Sequence, residues 1–303
     1  MREKPSLFFQ GVVLALAGSV CFSTKAIFVK LAYRDIVIDA VSLLALRMVF
    51  SLPFFIGSAY ISSSRTENVR FTWSQWVWVA TIGCLGYYVS SLLDFIGLQY
   101  VSAGLERLIL FIYPTLAMLM SAGIFKTKIK PIQWLALVIT YAGLAIAFVS
   151  EVKVGTQQSE TLIFGSVCIF LCAITYATYI VGSGRLIPIV GASKFNSYAM
   201  SFACAGVLLH YFIGSKNSLL HFPVAAYGYG FAMAIIGTVI PSYLVTAGMK
   251  RIGSDNTAIV GSIGPVSTLF MAYLFLDETI STSQMIGTAF ILAGVLLIGK
   301  QKQ

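Results

Sequence analysis

Five charged side chains interrupt long apolar runs in the first half of the chain: Lys25, Arg47, Asp94, Glu106 and Arg107. A charge inside a segment of membrane thickness costs about 2.5–3.5 kcal/mol on insertion scales, so such residues face protein or a water-filled path and find partners there. At 1.5 Å per residue, all five fall within about the outer 10 Å of their segments, given the orientation derived below. Three cations and two anions at one level suit a charged vestibule or gate that touches a substrate. They suit equally an ion-pair network that pins the first four helices together, and spacing alone leaves both readings open. Tyr87, Ser91 and Asp94 share one helix face, a polar stripe fit for a cavity wall. Glu106 and Arg107 are adjacent and therefore diverge by about 100°, so one faces the cavity and the other a neighbouring helix. Pro114 and Pro265 sit in mid-run beside Tyr113 and Gly264. Proline removes a backbone donor and kinks a helix. Irregular backbone at that depth survives only under protein cover or along a cavity. Tyr243 and Ser262 complete the substrate or gate candidates from the second half.

The elements that must hold these residues are transmembrane helices. Hydrophobic residues make up 58% of the 303 residues and charged ones 10%, against about 25% charged in a soluble domain. Mean hydropathy is +0.88. Ten apolar segments follow, at about 8–30, 40–61, 74–97, 103–125, 132–150, 162–183, 195–213, 224–247, 257–276 and 284–299. Each is near the ~20 residues that cross a bilayer as a helix. The apolar run after Met1 to Pro5 is too long for a signal peptide and has no clear cleavage site, so it is expected to stay as the first span. The expected class is an all-α integral membrane protein.

The last fifty residues repeat an earlier stretch at a constant offset of 151: Gly97 with Gly248, Pro114 with Pro265, Met120 with Met271, Gln133 with Gln284, Gly143 with Gly294. The loop between the paired runs is Lys126, Thr127, Lys128, Ile129, Lys130 in one copy and Asp277, Glu278, Thr279, Ile280, Ser281 in the other. Basic against acidic is what opposite membrane orientations produce, and inverted repeats are a transporter signature. Two five-helix units, 1–150 and 162–303, joined by a linker at 151–161, are therefore expected. Lys and Arg gather on one side (Arg2, Lys4, Arg65, Arg70, Lys126, Lys128, Lys130, Lys250, Arg251 among them), which places both termini in the cytoplasm. This rule accounts for the net charge of +9, which is not taken as nucleic-acid binding. The offset maps Asp94, Glu106 and Arg107 onto Val245, Thr257 and Ala258, so the architecture repeats but the charged chemistry does not.

Enzyme signatures are missing from the sequence. There is no Walker A loop and no His-Glu-x-x-His. Gly261-Ser262-Ile263-Gly264 suggests a serine nucleophile only if a general base is near, and His210 and His221 lie far from it on this topology. The five cysteines fall inside spans as small apolar residues. Neither a metal, a cofactor nor an enzymatic activity is expected.

Gly97-Leu98-Gln99-Tyr100-Val101-Ser102-Ala103, Tyr113-Pro114-Thr115, Gly264-Pro265-Val266 and Leu274-Phe275-Leu276-Asp277-Glu278-Thr279-Ile280 resemble the EamA-type transporters of the drug/metabolite transporter superfamily. The resemblance covers nearly the whole chain. It implies ten helices as two inverted five-helix repeats, cytoplasmic termini in a bacterial inner membrane, and a central cavity lined by both repeats. It implies export of small metabolites, amino acids foremost, by alternating access, with a coupling proton or counter-solute. The alternative is a multidrug or lipophilic-cation exporter. The small multidrug relatives carry a functional glutamate in their first helix, whereas this first span has Lys25 and no acid. Expected partners are a small-molecule substrate and the lipid bilayer; the oligomeric state stays open, a monomer included.

Overall fold

The computed structural model describes residues 5–64, 69–126, 128–154, 159–215 and 218–299, and contains helices and loops with no strand among these residues. The elements are α1 (Pro5–Asp35), α2 (Ala40–Ser63), α3 (Trp73–Gly97), α4 (Ala103–Leu110), α5 (Tyr113–Phe125), α6 (Pro131–Val154), α7 (Ser159–Ser183), the short α8 (Ile187–Val190), α9 (Ala192–Gly214), α10 (Val224–Gly253), α11 (254–261), α12 (Ile263–Leu276) and α13 (Thr282–Gly299). Eight stretches among the described residues are long and apolar enough to cross a membrane, and α12 and α13 are shorter apolar helices. The protein is an integral membrane protein. Lys4, Arg65, Thr127 and the centre of the 151–161 linker lie outside the described residues.

Each half packs chiefly on the other. α1 runs along α10 and α12, α2 along α9, α3 along α7 and α9, α5 along α7, and α6 along α13. Glycine makes the closest crossings. A Cβ on Gly143 would stand 2.7 Å from the Gly287 carbonyl oxygen across the α6–α13 contact, and Gly294 has the Ala136 carbonyl as close on the other side of that contact. Backbones approaching this closely gain dispersion and exclude lipid, the usual basis of helix association in membranes.

Local backbone geometry recurs at the offset of 151. A π-helical turn occupies Cys84–Val89 in α3 and Ile235–Val239 in α10. Lys126 and Asp277 end α5 and α12 in the left-handed region, with φ of 54° and 56°. The segment expected as one span over 103–125 is interrupted at Phe111, and its counterpart is interrupted at Ser262.

These interruptions correct the expected proline kinks. Pro114 lies in the first turn of α5 and Pro265 is the third residue of α12. In a first turn the missing N–H has no intrahelical partner to lose, so proline is well accommodated. The chain is already broken before each proline, which starts the next helix and does not bend a continuous one.

Candidate functional site

Lys25 on α1 reaches across to α3, where its Nζ is 2.6 Å from Asp94 Oδ2. Asp94 is wholly buried, as is Glu106 on α4. Ser102 caps α4, accepting from the Leu105 N–H at 3.1 Å. That short helix then turns Glu106 towards Asp94 and Lys25. Arg107, one residue on, turns the other way. A Cβ added to Gly264 would lie 2.7 Å from its Nη2, and Tyr113 and Tyr176 face its charge. The divergence read from helix geometry therefore separates two environments: carboxyl with ammonium on one side, guanidinium with tyrosines on the other.

Arg47 on α2 is 4% exposed. Its Nε donates to Thr238 Oγ1 at 2.9 Å, its Nη1 to Ser91 Oγ at 3.3 Å, and its guanidinium lies 5.7 Å from the centre of the Phe95 ring. Thr238 belongs to the π-turn of α10 and donates in turn to the Met233 carbonyl at 2.9 Å. A π-turn shifts a helix by one residue and is found often at functional sites. Here it brings Thr238 to Arg47, while its neighbour Gly237 lies against Lys25.

The matching π-turn of α3 changes the expected polar stripe. Ser91 and Asp94 do join the charged cluster, but Tyr87 is carried round to the second half. Its hydroxyl donates to Asn196 Oδ1 at 2.7 Å and lies 3.1 Å from the Tyr179 hydroxyl. Tyr179 sits over Gly86, where a side chain would collide with its ring. The rings continue as a chain: Tyr87 to Tyr179 (4.8 Å between centroids), Tyr179 to Tyr176 (5.9 Å) and Tyr176 to Tyr113 (4.9 Å). The chain ends beside Arg107. An i, i+3, i+7 reading assumes α geometry throughout, and that assumption fails at residues 84–89.

The site thus gathers Lys25, Arg47, Ser91, Asp94 and Glu106, with Arg107, Tyr113 and Tyr87 extending from it. Ser262 stands at the interruption before α12, close in sequence to Gly264, whose carbonyl accepts from Ser23 at 3.0 Å. Tyr243 is 42% exposed and donates to the Phe54 carbonyl at 3.3 Å, away from the charges. Sequence reasoning passed over Tyr176, Tyr179, Asn196 and Thr238 as site residues. The offset of 151 holds a signal for one of them, since it pairs Tyr87 with Thr238 and Gly86 with Gly237. Asp94 Oδ2 has Lys25 as its ion-pair partner, whereas both Glu106 oxygens, Asp94 Oδ1 and Arg107 Nε are buried with no hydrogen-bond partner. Unsatisfied groups of this kind are rare in native interiors and call for an explanation such as a ligand or ion. No group of three metal-ligating side chains occurs among the described residues.

Comparison with known proteins gives a consistent result. The sequence model of the EamA-like transporter family matches twice, over residues 9–149 and 163–300. The chain is 32% identical to YcbK, an uncharacterized transporter of Bacillus subtilis strain 168, over 94% of this chain and 92% of that protein. An uncharacterized transporter of Synechocystis is 23% identical over 100% of this chain and 97% of its own length. A crystal structure at 18% identity covers 95% of both chains with a TM-score of 0.64, which supports the fold alone.

Proposed function

We propose that this chain, which belongs to the EamA-like transporter family, is a secondary active transporter that exports small polar metabolites, amino acids and related zwitterions foremost, by alternating access. The observation that carries the reading is the buried cluster. It holds charges of both signs where the two halves meet, with carboxyl oxygens and a guanidinium nitrogen left without partners. A zwitterion supplies what these groups lack: an ammonium for the Asp94–Glu106 side and a carboxylate for the Arg107 side. The tyrosines between Tyr87 and Tyr113 form the apolar wall, with hydroxyls to orient the ligand.

Alternating access needs two related halves. The paired π-turns, the paired left-handed helix ends at Lys126 and Asp277, and the helix contacts that interchange when the halves are exchanged support ten membrane helices in two five-helix units, 1–150 and 162–303. The basic loop 126–130 against the acidic Asp277 and Glu278 supports opposite orientations, with both termini cytoplasmic. Bacillus subtilis relatives support a bacterial cytoplasmic membrane. The test is a counterflow screen with the purified chain in proteoliposomes, using labelled amino acids, nucleosides, sugars, organic acids and a lipophilic cation. Exchange of amino acids with loss on Arg107→Gln is the expected result. Exchange confined to the lipophilic cation would refute the reading.

A further inference from the structure

Asp94 and Glu106 are each wholly buried and their carboxyl groups face one another. Apart from the Lys25 ion pair, none of the four oxygens has a hydrogen-bond partner. Two carboxylates in contact are two acceptors with no donor between them, and they are like charges in a medium that screens poorly. One ammonium cannot neutralise both. A single proton resolves both problems, because it turns the contact into an O–H···O hydrogen bond and leaves one negative charge against one Lys25.

We propose that the Asp94–Glu106 pair, with Lys25 as its fixed counter-charge, is a proton-binding site and the coupling site of this transporter. The inference rests on the transporter reading above. The surroundings are consistent with it. α1 presents Lys25 and Tyr33 to the pair, α2 presents Arg47, α4 adds Arg107 and α7 presents Cys172. Also from the second half, α10 contributes the uncharged Gly237 and Thr238, which touch Lys25 and Arg47. No further carboxylate is among these described groups, so the pair is the carboxylate centre of the cluster. The step is simple: a proton from bulk water binds one carboxylate and later returns to water on the other side. A substrate ammonium needs the same oxygens that the proton occupies. The two ligands therefore compete, and competition for one site in an alternating-access protein gives antiport.

The binding claim is tested without a substrate. Infrared difference spectra of the full chain in liposomes are recorded across pH, in H2O and D2O. The expected result is a deuterium-sensitive band of a protonated carboxyl that vanishes as pH rises, and that is missing from both Glu106→Gln and Asp94→Asn. Absence of the band from the unaltered protein, or its persistence unchanged in either variant, overturns the proposal; the first of these outcomes needs no variant to fold. The coupling claim is tested with a pH dye trapped in the same liposomes and the labelled amino-acid mixture of the counterflow screen. Inward proton movement as label leaves is expected. Transport that follows a sodium gradient and leaves the dye unchanged overturns the coupling role. If counterflow finds no transported class, the transporter reading fails while the infrared result stands by itself, so the two failures are distinct.

Discussion

Glu278 lies in the loop after α12, yet its carboxylate closes the N-terminus of α4 in the other half. Oε1 accepts from the Ala103 N–H at 2.9 Å and Oε2 from the Gly104 N–H at 3.3 Å. Ser102 accepts from Leu105, so the first three amides of α4 are satisfied, two of them by this one residue. The left-handed Asp277 reverses the chain, and the Glu278 N–H bonds to the Ala272 carbonyl at 3.3 Å, which aims the side chain. Because α4 carries Glu106 and Arg107, this clamp fixes their positions. Removing a side-chain cap costs about 0.5–2 kcal/mol, and a carboxylate at a helix N-terminus adds about 0.3–1 kcal/mol. Taking about 1–2 kcal/mol, Glu278→Ala should raise the open population of these two amides about 5- to 30-fold. Hydrogen exchange of the protein in nanodiscs, read at residue level, measures this directly. Ala103 and Gly104 should exchange faster by that factor, while Leu105, held by Ser102, keeps its rate. Glu278→Gln retains one acceptor oxygen and should fall between. Unchanged exchange at Ala103 and Gly104, or an equal acceleration through Ile109, would refute the idea of a local clamp.

Three further outcomes are expected. In a cysteine-free background, Lys128→Cys should be protected from an impermeant thiol reagent added outside and Thr279→Cys labelled by it; equal labelling would end the inverted-repeat proposal. Arg47→Met removes the bonds to Thr238 and Ser91 and a cation near Asp94, and breaking a buried charge arrangement from one side costs about 3–5 kcal/mol. Its thermal unfolding in detergent should therefore drop well below that of the unaltered chain, and an unshifted curve would argue against this buried network. Gly264→Ala puts a methyl against the flexible end of Arg107, so folding should persist while counterflow falls; full transport would remove Arg107 from the substrate path.

The sequence carried the membrane class and most of the helix positions, because each depends on composition or on spacing summed over many residues. It also carried the partnership of the buried charges. Lys25, Asp94 and Glu106 are too costly to leave facing lipid, so their meeting follows from energy and needs no geometry. What escaped depends on single-residue shifts of backbone. A π-turn arises from one extra residue in a helical turn and leaves no compositional mark, so unbroken α geometry puts Tyr87 out of phase with Ser91 and Asp94, which lie C-terminal to the turn. The same shift in α10 explains why Thr238, an ordinary residue by type, becomes the partner of Arg47. The prolines misled for a related reason: proline is equally at home after a helix break and at a kink, and only the backbone decides. The two halves also differ where the offset makes them comparable. Asp277 and Lys126 end their helices in the same conformation, but the residue after Asp277 is the carboxylate that clamps α4, and the residue after Lys126 is Thr127. Threonine carries no carboxylate, so the sequence supplies no such anion at position 127, whereas Glu278 gives a charged clamp at the other position. Under the alternating access proposed above, that asymmetry would favour closure at the Glu278 end, where the carboxylate joins the two halves. Loss of Glu278 is therefore expected to weaken the preference for that closed form as well as the hold on α4.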